Sequence, residues 1–393
     1  MRNKRMLFAV FAILMLAAVT SCGKKTPDDS PNNLTDPSAS KSDGALTPAP
    51  VIASEPAEDL MGKAIDPLTG FWIDQDTAAS RPIAVVFNNH HKALPQSGIG
   101  QAAVYYEVLA EGNITRIVGI FHGLDAVKLG PIRSARHYFI DFALDYDAIF
   151  IHHGGSPQGY STLFSLQIPY LDGLALEGVT FWRDPERVKI SGMYEHSSYT
   201  DAEKIQAAIA SYGYRAELEE SPRIGFDFYP ENTPPAGATG ATGATDITGA
   251  ADAVGTADIT GAAGAETLEV QYSEDYQSTF VYDGKDKVYY KFHEGEPHID
   301  AETGEQLSVA NILIQFTSIS DIQNDDAGRR DVKTVGVGTG FLITCGGVAP
   351  VTWEKYSHQS PTQWRWEDGS EIQLNKGKTW ICVISPDTPL EIK

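Results

Sequence analysis

Residues 236–265 of this chain read AGATGATGATDITGAADAVGTADITGAAGA. The tract is built almost wholly from Gly, Ala and Thr, and such a composition buries too little apolar surface to hold a packed structure. DITGAA occurs twice, at 246–251 and 258–263, which is too few and too small a repeat for a solenoid. The remainder must therefore fold on either side of the tract, over about 60–235 and 266–393, with 236–265 as a flexible insert.

The two flanks carry different periodicities. In the first, IAVVFNN after Arg81-Pro82, TRIVGIFHG (115–123) and AIFIHHGG (148–155) are short apolar runs ending in turn residues, and read as strands. AAVYYEVL (102–109) fits a strand or a short helix. Apolar residues at 132, 135, 139, 142 and 146 keep helical spacing, which predicts a helix from Pro131. SYTDAEKIQAAIASYGY (198–214) predicts another, with Thr200 and Glu203 as a capping box and Gly213 as its stop. In the second flank, VYYKFH, NILIQF, VGVGTGFLIT, VTWEKY, TQWRWED and TWICVI are separated by Gly, Asp, Asn and Pro. The expected fold is an α/β N-terminal domain (60–235) followed by a smaller β-rich C-terminal domain (266–393), α+β overall.

The N-terminus is a targeting segment. Basic Met1–Arg5 precedes MLFAVFAILMLAAVT (6–20), an apolar run too short to span a bilayer. Val19-Thr20-Ser21-Cys22-Gly23 resembles a bacterial lipobox. This predicts a signal peptide over 1–21, a lipid on Cys22, and a disordered Pro/Ser/Asp-rich tether over 22–59. Two acyl chains suffice for stable attachment, which places the protein on the extracytoplasmic face of the cell membrane. Cys345 and Cys382 remain, and are expected as buried free thiols.

Lys and Arg number 30 against 52 Asp and Glu, giving −22. Bulk nucleic-acid binding through a basic surface is excluded on that count, and an anion site must be a local cluster. Ser156 in GGSPQ does not fit a nucleophile elbow, because Pro157 lacks the N–H that an oxyanion hole requires at that position, and Pro157 fits better as the first residue of the next helix. His90, His91, His122, His152, His153 and His196 lack metal-ligand spacing. No motif calls for a cofactor.

Long motifs run through both flanks: RPIAVVFNN with PQSGIGQA (81–102), YYEVLAEGNITRIVGIF (105–121), GPIRSARHYFID (130–141), IHHGGSPQ (151–158) and HSSYTD (196–201). HID (298–300), NILI (311–314), TWEK (352–355) and NKGKTWICVI (375–384) continue them. The chain resembles the YerB family of bacterial lipoproteins. That resemblance implies two domains of unknown function and no settled activity.

The residues themselves suggest one site. Acidic residues normally occupy a helix's first turn, yet Arg133, Arg136 and His137 follow Pro131. Arg116, Arg133 and Arg136, walled by Glu107 and Glu111 with His152 nearby, are the expected ligand-binding set, for an anionic cell-wall polymer or small anion. One alternative is a cell-wall-directed hydrolase using Glu107, Glu111 and His152. Another is a protein-interaction scaffold using Trp353, Trp364, Trp366 and Trp380. The competing expectation is that the arginines are internal ion-pair partners of the carboxylates, which a structure decides.

Overall fold

The computed structural model describes residues 60–219, 224–235 and 264–393. The signal peptide, Cys22, the tether and nearly all of the Gly/Ala/Thr insert lie outside the described residues.

The first flank supplies β1 (Ile83–Asn88), β2 (Val104–Glu111), β3 (Ile114–Phe121), α1 (His137–Leu144), β4 (Ile149–His152), α2 (Pro157–Leu166), β5 (Tyr170–Asp172) and α3 (Ala202–Tyr212). The second supplies β6 (Thr267–Ser273), β7 (Tyr276–Asp283), β8 (Val288–His293), β9 (Asn311–Phe316), β10 (Gly336–Thr344) and β11 (Gly347–Lys355). It ends with β12 (Gln363–Arg365), β13 (Thr379–Ile384) and β14 (Leu390–Ile392). Every described helix precedes residue 213, so an α/β part is followed by a β-rich part.

The two parts share a sheet. Ten strands form one mixed sheet in the order β12-β11-β10-β9-β13-β2-β3-β1-β4-β5. The crossing is at β13, which runs parallel to β9 on one side and β2 on the other; Cys382 stands opposite both Ile314 and Glu107. Both faces are covered, which is why IAVVFN and TWICVI read as unbroken apolar runs instead of alternating. On one face Tyr106, Val118, Phe150 and Ile381 share a core with Phe139 and Phe142 of α1 and Leu163 of α2. On the other, Tyr105, Ile117 and Trp380 share a core with Val270, Phe280 and Tyr289 of the β6–β8 sheet and Ile205 and Ile209 of α3.

Three local expectations are corrected or refined. The helix predicted from Pro131 begins at His137, with Arg136 as its N-cap. The preceding backbone is engaged elsewhere: Ile132 N–H bonds Ser198 O, Arg133 N–H bonds Val86 O, and Ala135 N–H bonds Gly154 O. Helix α3 is capped by Asp201, whose carboxylate accepts from Lys204 N–H at 2.7 Å, and not by Thr200, whose hydroxyl donates to Thr180 O. Ser156 caps α2 by accepting from Gly159 N–H at 3.0 Å, with Pro157 as the first helical residue. Cys345 and Cys382 are free.

Two motifs some two hundred residues apart fasten the parts together. The Asp300 carboxylate accepts from Gly98 N–H (3.0 Å), Gly100 N–H (2.6 Å) and Glu302 N–H (2.8 Å). A Cβ at position 100 would stand 2.8 Å from Asp300 Oδ2, so a glycine there admits the carboxylate. Asp300 is buried, and Asp300→Ala strands backbone donors inside the protein. It should lower unfolding free energy by roughly 2–3 kcal/mol in urea melts, whereas a loss under half a kilocalorie would show that the two motifs merely touch.

Candidate functional site

The expected arginine site is an ion-pair hub. A register shift between Leu109 and Glu111 ends β2, and the Glu111 carboxylate meets Arg116 Nη2 through one oxygen and Arg136 Nη2 through the other, the latter at 2.5 Å. Arg116 also donates to Ser134 O, and Arg136 to Ala135 O at 2.8 Å. Both guanidinium groups are buried. Burial pushes Arg116 down to about 9, so it stays charged at neutral pH. Burial acts to raise Glu111, but Arg116 and Arg136 outweigh it and hold the carboxyl below its usual range. Only Arg133 of the three arginines faces outward, paired with the exposed Glu195.

Glu107 is elsewhere. It is fully buried; its Oε1 accepts from Asn89 Nδ2 and the Thr115 hydroxyl, both at 3.1 Å, and its Oε2 accepts from the Ser278 hydroxyl at 2.8 Å. The two carboxylates of the hydrolase alternative therefore have separate partners, and one has no solvent access. His152 is also sealed, its Nδ1 2.8 Å from Gly154 O, and burial lowers its basicity. Trp353, Trp364 and Trp380 are core residues and Trp366 is partly buried against the same core, so the four do not form an exposed aromatic platform. Among the described residues, no group of three His, Cys, Asp or Glu side chains is arranged to hold a metal ion.

A second polar cluster at the seam went unforeseen. Lys291 is fully buried; its Nζ donates to the Ser278 hydroxyl and Phe292 O, both at 2.8 Å, and lies 3.9 Å from Glu107. Its ammonium also lies over the rings of Phe280 and Trp380. Beside it His298 Nε2 is 2.7 Å from Gln96 Oε1, while His298 Nδ1, both nitrogens of His293, and Trp380 Nε1 are buried without a hydrogen-bond partner. Burial, aided by the Lys291 charge, pushes His293 down to about 3 and His298 well below its ordinary value. The signal was in VYYKFH: period-two alternation puts Tyr289, Lys291 and His293 on one face, and that face is the buried one.

The cluster lies behind an open cleft of about 710 Å³ between the two parts. His90 and His91 line it from the first part, and Glu274, Asp275, Tyr276 and Glu294 from the second. The rings of His90 and His91 lie 4.0 Å apart between centroids, and those of His90 and His196 4.8 Å, both pairs tilted. Burial and the charges of His91, Lys92 and Arg133 keep His90 below its usual range, hence neutral at pH 7. Its Nδ1 accepts from Lys92 N–H at 3.1 Å, which leaves Nε2–H as a donor. A further cleft of about 740 Å³ sits at the starts of α1 and α2, but its charges are already paired, His137 with Asp331 at 2.8 Å and Asp321 with Arg330.

Fold and sites together define a protein of two sequence parts on one sheet, with a buried polar seam and a cleft at its edge. The chain belongs to the family described as protein of unknown function DUF3048. Its N-terminal domain matches residues 68–215 and its C-terminal domain residues 268–381. The chain is 33% identical over 332 residues to the Bacillus subtilis (strain 168) protein named "Putative lipoprotein YerB", covering 84% of this chain and 88% of the relative. It is also similar to the crystal structure of the YerB protein from Bacillus subtilis, with a TM-score of 0.66 and 31% identity over 82% of this chain and 96% of that one. No helix among the described residues is long and apolar enough to cross a membrane.

Two predictions follow from these pairings. Arg116→Ala and Arg136→Ala each leave Glu111 with a lost partner in a buried site and should cost about 3–5 kcal/mol of stability. Arg133→Ala breaks an exposed pair and should cost less than about 1 kcal/mol; denaturant melts of the three variants separate the hub from the surface. The second concerns acid. Above about pH 6.5 neither folded nor unfolded chain protonates His293. As pH falls below that value the unfolded chain takes up a proton that folded His293 refuses until about pH 3. Stability should therefore fall by about 1.4 kcal/mol per pH unit from this imidazole alone. The pH dependence of urea melts between 6.5 and 5 should flatten by that amount in His293→Asn, and an unchanged slope would show that His293 titrates normally.

Proposed function

We propose that the protein is an extracytoplasmic binding protein, held to the membrane by a lipid on Cys22, that recognises an anionic group of the cell envelope such as the phosphate of a wall polymer. The anchor rests on the lipobox-like Val19–Gly23 and on the lipoprotein name of its relative. The observation that carries the anion reading is the situation of Arg133. Arg116 and Arg136 are enclosed with Glu111, but the Arg133 side chain keeps 26% of its surface and, among the described residues, is tied only to Glu195, itself 60% exposed. Arg133 and Lys92 act electrostatically on His90, which lines the cleft, so two cations act on a neutral imidazole donor there. An incoming phosphate can replace the exposed Glu195 carboxylate without uncovering a buried charge, and a guanidinium matches its oxygens in a bidentate fork.

The test is titration of inorganic polyphosphate into the protein at low salt. Arg133→Ala should weaken binding about tenfold, equivalent to about 1.4 kcal/mol, with the melt nearly unchanged, and raised salt should weaken the wild type. Equal affinity in the wild type and Arg133→Ala would overturn the reading.

A further inference from the structure

The described chain begins at Leu60, and its first structure is a two-stranded hairpin, Lys63–Ile65 paired with Trp72–Asp74. Ile65 stands directly opposite Trp72, and Lys63 opposite Asp74. Alternate residues of a strand share a face, so these side chains lie together, and their face is open to solvent. Ile65 is 54% exposed and Trp72 45%, with Met61 at 85% just before the strands and Phe71 at 52% beside Trp72. A single exposed apolar residue is ordinary; several large ones on one short hairpin mark an interaction surface. The hairpin is firmly based. Asp66 at its turn is buried, and its carboxylate accepts from Leu68 N–H at 3.0 Å and the Thr69 hydroxyl at 2.6 Å, and lies 2.8 Å from His122 Nδ1. Leu68 points into the core, Phe226 N–H donates to Pro67 O at 3.0 Å, and Gly377 N–H donates to Thr69 O at 2.8 Å. The turn is thus tied to both parts while the apolar face is held outward.

We propose that this face docks on the lipid bilayer that holds the anchor, with Ile65, Phe71 and Trp72 seated at headgroup level. This rests on the lipid anchor at Cys22 proposed above and adds a second contact to it. The occupant follows from where the chain outside the described residues ends. Residues 23–59 lead from Cys22 to Leu60, so the first side chains of the fold that the anchor brings to the membrane are those of Met61 and the hairpin. A tethered contact acts at high effective concentration, so a patch too small to bind a bilayer from free solution suffices. Its chemistry also fits. Tryptophan favours the membrane–water interface, and Lys63 Nζ meets Asp74 Oδ1 at 2.6 Å, which leaves the face without net charge. A chain of −22 is repelled by anionic headgroups, and an apolar contact through a neutral face does not depend on attracting them. The protein then lies on the membrane in one orientation, held at two points.

The test reconstitutes the lipidated mature protein into phosphatidylcholine vesicles, with and without bromine on the acyl chains, and reads tryptophan fluorescence. Bromine quenches only at short range, so brominated lipid should lower the emission of the wild type through Trp72. Trp72→Phe keeps the face apolar and removes the fluorophore, and the quenching should vanish. Ile65→Ser/Phe71→Ser keeps Trp72 and should lose the quenching as well, while remaining on the vesicles through its lipid. Both positions are exposed, so its urea melt should match that of the wild type. The quenching should survive raised salt, because an apolar contact is not screened. A wild type that floats with the vesicles and is not quenched overturns the docking proposal and leaves the anchor standing. Quenching that persists in Trp72→Phe or in the double serine variant overturns it too, by placing the contact elsewhere. So does an unquenched wild type that forms a dimer lost in the double serine variant, which would make a second copy the occupant. If the wild type does not float with the vesicles, the anchor reading fails and this proposal falls with it.

Discussion

Strand β13 has no free edge. Its backbone is paired to β9 from its own part and to β2 from the other, so neither half of the ten-stranded sheet is complete without this contact. Removing β13 would expose two rows of backbone donors and acceptors and the apolar faces of Trp380, Ile381 and Val383, all buried. The insert at 236–265 therefore need not position anything. The parts are oriented by the hydrogen bonds of one strand, and the low-complexity tract has only to reach between its ends. A tract of that composition suits such a role, because loop-closure entropy grows slowly with length.

A join of this kind brings polar side chains inside. Glu107 lies on β2 beside β13, and the β7–β8 hairpin packed over it brings Ser278 and Lys291. The buried carboxylate is matched by two hydroxyls, a carboxamide and an ammonium. Removing Lys291 alone would leave an uncompensated charge, so the cluster acts as a check that the two parts have met in the right register. The Gln96–His298 and Asp300–Gly98/Gly100 bonds add a second check on the same seam. Both involve PQSGIGQA and HID, which thus have a structural role independent of any ligand.

The class of fold was legible because it depends on local signals: unbroken apolar runs for strands covered on both faces, 3.6-residue spacing for α3, and Pro157 after Ser156 for α2. The joining of the parts was not legible, because strand partners are chosen by long-range pairing and β13 has the same composition whichever neighbours it takes. The helix from Pro131 failed for a related reason. Its apolar spacing is real, but Ile132, Arg133 and Ala135 find backbone partners at Ser198, at Val86 of β1 and at Gly154, and those bonds hold the segment extended. The candidate site was legible only as a set of residue types. Arg116, Arg136 and Glu111 do meet, but as a closed hub. Glu107 was separated from Glu111 by a register shift in β2 that no residue pattern announces.

The overall charge of −22 does not oppose anion binding at Arg133 as strongly as it first suggests. At physiological ionic strength the screening length is about 8 Å, so Arg133 responds to its own neighbourhood and not to acidic residues across the molecule. Within that neighbourhood it acts on His90, His196 and Glu195, and on the Glu111 and Arg116 of the hub. Glu195 is held below its usual range chiefly by Arg133, and the pairing is therefore one charge to one charge, open to solvent. An exchangeable surface pair of this sort is worth little to stability, in contrast to the enclosed Arg116–Glu111–Arg136 hub. That contrast separates the two roles: a buried pair fixes the chain, and an exposed one can trade its carboxylate for another anion.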